Sequence, residues 1–318
     1  MVTAEKASYL IFQEKYIRPM PLDDAVNLYS TIGKRNAKFL FTWLHNIYKK
    51  VYLPCIDLDY ADTLAIDKTK LTIFDVCIDD AADNYRVRNK ELLYKLLKIP
   101  WNSYDNQFYN PDIYFETSKT LYLDVLSSIK SYPRYEELKD VFDYDLKQVL
   151  HSMEYSYLVN SKNGFGSYME SLLYVPHGLM VILHCVMDLM CSPKFKISEL
   201  NNVHAVFTIA QKVMCIGNML NTYPREIREK DISSPIMMLA LEKGLYQYHD
   251  IKKNDFEIKV LPKIKKLEPH FQAMVPKYLN EIRKYKKKVH CFNVEEFVQA
   301  LQYVYDMFIK RAQYWELA

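Results

Sequence analysis

Three carboxylates, Asp79, Asp80 and Asp83, stand together in IFDVCIDDAADNY, residues 73–85. Leu71, Phe74 and Ile78 recur there at three and four residues, the apolar spacing of a helix. On such a helix Asp79 and Asp83 lie one turn apart on the same side, with Asp80 beside them. Carboxylates this close repel one another, and without cations at least one resists ionisation. Hard divalent cations with oxygen ligands relieve that repulsion, and Mg²⁺ commonly joins one or two carboxylates to substrate phosphates. A solvated acidic helix face would use the same residue types, so a second ligand set carries the weight. Asn218, Thr222 and Glu226, in GNMLNTYPRE, follow one another at intervals of four. They put an amide oxygen, a hydroxyl and a carboxylate in line down one helical face, again donors suited to Mg²⁺.

In order and in the interval between them, the two stretches resemble the aspartate-rich and NSE motifs of class I terpene cyclases, in the microbial-type single-domain branch. The resemblance implies an all-α chain, one class I terpenoid synthase helical bundle spanning residues 1–318, dependent on three Mg²⁺ ions. Asp79 would bind two of those ions with Asp83 as a second ligand, and Asn218, Thr222 and Glu226 would bind the third. Asp80 would pair with an arginine near the C-terminus when the site closes, and Arg225 would hydrogen-bond diphosphate. The family's C-terminal Arg-Tyr pair is altered to Gln313-Tyr314, with Lys310 and Arg311 a turn earlier, so Arg311 and Tyr314 take that role and Lys310 joins the diphosphate set. Residues 174–178, a helix break containing Pro176 and Gly178, match the element that faces the site in such enzymes and bring Val175 and His177 to the pocket.

Carbocations need apolar walls whose π-faces stabilise positive charge without attacking it, and Phe74 and Trp315 are the candidates. Cys77 and Cys215 flank the metal motifs and are small, which suits a roomy pocket. Geranylgeranyl diphosphate is therefore favoured over farnesyl diphosphate as substrate. The family resemblance also makes a homodimer a reasonable expectation.

The match has departures. No arginine occurs between Arg134 and Arg225, where the family has its diphosphate-sensing arginine; Leu172 stands at about that place, leaving Lys162, Tyr174 or His177 to substitute. Met219 replaces the usual aspartate beside the first ligand, and Pro224 removes a backbone bond to Leu220 and should kink the second metal helix. Two other functions compete. A chain-elongating prenyl diphosphate synthase would need a second DDxxD where this chain reads NMLNTYPRE, and a non-catalytic helical relative would need no metal at all.

The remaining composition narrows the field. Glycine is scarce, 6 in 318 residues, and neither GxGxxG nor GxxxxGK[ST] occurs, so no glycine-rich loop is available to cradle phosphate. A formal charge of +3 predicts neither nucleic-acid nor membrane binding. Six cysteines without a CxxC in apolar contexts read as buried thiols of a reducing compartment. Glu5, Lys6, Glu14 and Lys15 occupy the stretch where a signal peptide would need an apolar run, and Leu179 to Met190 is too short to span a bilayer. A soluble cytoplasmic protein is expected.

The elements that must position the two motifs are all helical. An irregular arm to residue 21 precedes a helix from Leu22 to Val51, and the acidic helix runs on to Leu97 before Pro100. Residues 101–112 connect to helices at 112–131 and 135–158; residues 160–167, with two glycines, form a turn. The second metal helix is expected over 202–229, a short helix over 236–249, a lysine-rich solvated stretch over 252–290, and a final helix over 293–317.

Overall fold

Caps and breakers divide the chain more finely than apolar periodicity suggests. A computed structural model describes residues 19–84, 87–101 and 112–310, with no strand among them. The N-terminal helices are α1 (Leu22–Ile32), α2 (Ala37–Tyr48), α3 (Ala61–Ala82), α4 (Lys90–Leu96), α5 (Ile113–Ile129) and α6 (Tyr135–Ser161). There follow α7 (Tyr168–Tyr174), α8 (Val181–Met190), α9 (Leu200–Glu229), α10 (Pro235–Glu242), α11 (Phe256–Ile264), α12 (Glu268–Gln272), α13 (Val275–Arg283) and α14 (Val294–Lys310). The protein is all-α. The irregular arm to residue 18 and the connector at 102–111 lie outside the described residues.

The expected helix from Leu22 to Val51 is two helices. Gly33 closes α1, and the Asn36 side chain opens α2 by accepting from the Phe39 N–H at 3.2 Å. A Cβ at residue 33 would lie 2.1 Å from Tyr29 Cζ, so glycine there lets the Tyr29 ring cross the chain. The acidic helix likewise stops at Ala82, where the Asp83 N–H donates to the Asp79 carbonyl at 2.9 Å. Asn89 then starts α4 by accepting from the Leu92 N–H at 3.1 Å. The helix expected over 236–249 ends at Glu242, with Gly244 in the left-handed region at φ 67°.

Two long helices form the centre. α3 packs against α1, α2, α5, α6 and α8, and α9 against α8, α13 and α14. α9 is apolar enough to cross a bilayer by composition, but 72% of that apolar window is buried in the bundle. α3 differs, because it is charged and buried nearly all round. The charges of its first half are met one by one: Lys70 Nζ pairs with Asp124 at 2.8 Å, and Lys68 Nζ with Asp188 at 2.6 Å. Asp67 accepts from the Ser128 and Tyr132 hydroxyls at 2.5 and 2.7 Å.

Breaking one buried pair strands a charge, whereas neutralising both partners removes the charge problem. Lys70→Met alone should therefore cost about 3–5 kcal/mol in urea unfolding. Lys70→Met with Asp124→Asn should cost clearly less, because Asn keeps the oxygen that accepts from the Met20 N–H at 2.8 Å. Equal losses in the two variants would contradict this account of α3.

Candidate active site

The helical repeat places Asp75 and Asp79 on one stripe of α3, and Asp83, the residue that caps the helix, follows four residues on. That stripe lines a cavity of about 330 Å³. Across the cavity, α9 contributes Asn218, Thr222, Arg225 and Glu226, and the turn after it adds Asp231, Ser233 and Ser234. The two motifs singled out in the sequence thus face one space. α9 also continues as one helix through Pro224 to Glu229, and the Thr222 hydroxyl donates to Glu226 Oε1 at 2.5 Å while lying 3.0 Å from the Asn218 carbonyl.

Asp80 points away from this stripe and is wholly buried. It accepts from the Tyr29 hydroxyl at 2.7 Å and from Arg35 Nε at 2.8 Å, and Arg35 Nη2 reaches Asp79 as well. In this structure the partner of Asp80 is thus an arginine from the link between α1 and α2. Arg311, Tyr314 and Trp315 lie outside the described residues. Lys310 ends α14 exposed and is not among the cavity-lining residues. Arg225 lines the cavity, with its guanidinium held by Glu229 at 2.7 Å.

The charges of this cluster do not cancel. Burial, reinforced by the Asp79 charge and opposed by Arg35, holds the Asp75 carboxyl well above the usual carboxylate range. Asp83 is raised in the same way, by burial first and then by Asp79 and Asp231. Burial and Asp231 push Glu226 up to about 7 against the pull of Arg225. Asp75 Oδ1 and Glu226 Oε2 are buried without a hydrogen-bond partner.

Oxygen donors with surplus negative charge, some unpartnered, fit a hard divalent cation. No three His, Cys, Asp or Glu side chains among the described residues are gathered tightly enough to hold one alone. The donors stand on opposite sides of the cavity, two of them are Asn and Thr, and Arg35 occupies Asp79.

Most of the remaining lining is apolar, and much of it comes from unexpected elements. Trp43 and Phe308, with ring centroids 5.6 Å apart, form a wall with Phe297, Leu301 and Val304 of α14. Val175, Gly178 and Leu179, in the 3₁₀ turn Val175–Leu179, border the cavity as the helix break suggested. His177, in the same turn, does not line it, and neither do Phe74, Cys77 or Cys215. With about 100° between successive residues, Phe74 and Cys77 fall on the reverse of the Asp75 stripe. Phe74 packs on Tyr122 at 4.8 Å, and Cys77 is fully buried with its carbonyl accepting from Tyr114. Cys215 borders a separate small pocket with Leu172 and Tyr278. Of the substitutes for the absent arginine, Lys162 is exposed and Tyr174 stacks against Tyr155; neither lines the cavity.

Sequence reasoning passed over Asp75 and Arg35. Asp75 carried a signal, since it stands four residues before Asp79 as Asp83 stands four after it. Arg35 carried none, because only the packing of α1 and α2 on α3 brings it to the carboxylates.

Glu226 makes stability depend on pH. Its folded value of about 7 lies above the ordinary 4.5 of a free glutamate, so its favourable contribution is complete below about pH 4.5 and is lost as pH rises through 7; Asp75 and Asp83 act with the same sign. In EDTA the protein should lose stability from pH 5 to pH 8. Glu226→Gln should flatten that fall by about 3 kcal/mol at most, less where solvent screens the carboxylate. Parallel melting-temperature profiles for the two proteins would contradict the assignment. Compared with known protein families and with curated proteins, the chain matches none.

Proposed function

We propose that the protein is a metal-dependent terpene cyclase that ionises a linear prenyl diphosphate, with geranylgeranyl diphosphate favoured, and folds the resulting cation into a cyclic product. One observation carries this reading: Asp75, Asp79 and Asp83 face Asn218, Thr222 and Glu226 across one cavity whose remaining walls are mostly apolar. A cluster of carboxylates beside an apolar wall suits the two halves of such a substrate.

Asp79 and Asp83 on one side, with Asn218, Thr222 and Glu226 on the other, would hold Mg²⁺, with Asp75 close behind. Bound there, the metal would neutralise the charge that develops on the departing diphosphate. Arg225 offers a planar fork for phosphate oxygens once it leaves Glu229. Trp43, Phe297 and Phe308 exclude water and present π-faces to a carbocation without a nucleophilic atom. Chain elongation remains the competing reaction, and the same assay separates it.

Incubation with Mg²⁺ and farnesyl or geranylgeranyl diphosphate should yield a cyclic hydrocarbon or alcohol by gas chromatography and mass spectrometry. EDTA should abolish it, and Asp79→Ala or Asn218→Ala should lower turnover by about 100-fold or more. A longer prenyl diphosphate, formed only with added isopentenyl diphosphate, would move the protein to the synthases. No turnover by folded protein would overturn the enzymatic reading.

A further inference from the structure

We propose that Arg35 is a tethered counter-ion that changes partners during ligand binding, holding Asp79 in the empty cavity and diphosphate oxygens in the loaded one. The inference rests on the diphosphate-binding reading above and assigns the anion-binding cation that the chain lacks between Arg134 and Arg225.

The geometry divides the guanidinium into two parts. Nε donates to Asp80 Oδ1 at 2.8 Å, and Asp80 is wholly buried and held from its other oxygen by the Tyr29 hydroxyl at 2.7 Å. This half is an anchor. Nη2 instead reaches Asp79, whose side chain is 25% exposed and lines the cavity beside Arg35 itself. This half stands where a cation bound to Asp79 would be.

Two observations indicate that the contact is an exchangeable one. First, Arg35 serves only part of the acidic stripe: Asp75, 6% exposed, keeps an oxygen with no hydrogen-bond partner in the same cavity. One guanidinium thus leaves negative charge that a divalent cation would satisfy better. Second, the other buried charges of α3 are matched by buried partners, Lys68 with Asp188 and Lys70 with Asp124. The Arg35–Asp79 contact is more open than either, its side chains 15% and 25% exposed against 3% or less, so a ligand can compete for it.

Arg35 then gives up Asp79 to a divalent cation, keeps Asp80 through Nε, and offers its freed N–H groups to the cavity. A planar fork anchored at one edge suits two phosphate oxygens. Arg35 therefore opposes metal binding in the absence of substrate and supports diphosphate binding in its presence.

The test uses Arg35→Gln and Arg35→Lys with two readouts independent of turnover. Mn²⁺ binding alone is followed by electron paramagnetic resonance, and inorganic pyrophosphate binding under saturating Mg²⁺ by calorimetry; circular dichroism monitors folding. The expected result for Arg35→Gln is Mn²⁺ affinity equal to or above that of the unaltered protein, with pyrophosphate affinity lowered tenfold or more. Arg35→Lys, which keeps the charge and loses the fork, should bind Mn²⁺ normally and pyrophosphate several-fold more weakly. Unchanged pyrophosphate affinity in both variants, with normal binding by the unaltered protein, would overturn the role of Arg35 alone. A parallel loss of both affinities in folded variants would make Arg35 a structural clamp and also overturn it. Failure of the unaltered protein to bind pyrophosphate with Mg²⁺ would remove the diphosphate reading and this inference together.

Discussion

A charge taken into a protein interior costs several kcal/mol unless it finds a partner there, and α3 takes in Asp67, Lys68, Lys70, Asp75 and Asp80, none more than 6% exposed. The surrounding helices are arranged to meet that demand. α5 brings Asp124 and Ser128, α8 brings Asp188, and the break at Gly33 turns Tyr29 and Arg35 onto Asp80. Partners so deeply buried set the register of each helix on α3, since a slip by one residue would strand a charge on both sides.

Where the fold withholds partners, it does so at the cavity. Asp75 and Asp83 share only the distant influence of Arg35, and Glu226 across the space is raised to about 7 by burial and Asp231. Ionised, these groups are destabilising, and buried carboxyls raised together at one cavity are the signature of a functional site rather than of stability. The proposed reaction uses the same imbalance: carboxylates that lack a cation collect metal, and the metal with Arg35 and Arg225 then suits a polyanion. In the same proposal the apolar wall from α2 and α14 would meet the other half of such a substrate.

Much of this was legible in the chain, and the failures have physical causes. Spacing by four placed Asp79 with Asp83, and Asn218 with Thr222 and Glu226, because a helix brings such positions onto one face whatever surrounds it. Pro224 did not separate the second set. The break at Val175 to Leu179 was visible from Pro176 and Gly178, and Val175 does border the cavity. What stayed hidden depends on tertiary packing. The run DKTK of α3 looks solvated in sequence yet is buried, because its partners lie 54 and 120 residues away. Phe74 and Cys77 adjoin the acidic motif in sequence but lie behind it in space, while the aromatic wall comes from Trp43 and Phe308, far from either motif. Arg35 as a partner of Asp80 stayed hidden for the same reason.

Whether the two sides of the cavity hold metal around a diphosphate is decided by a crystal structure with Mn²⁺ and pyrophosphate. Anomalous scattering should place Mn²⁺ at Asp79 and at Asn218, Thr222 and Glu226, with pyrophosphate between them. Pyrophosphate and metal absent from the cavity at saturating concentrations, or bound elsewhere on the molecule, would contradict it.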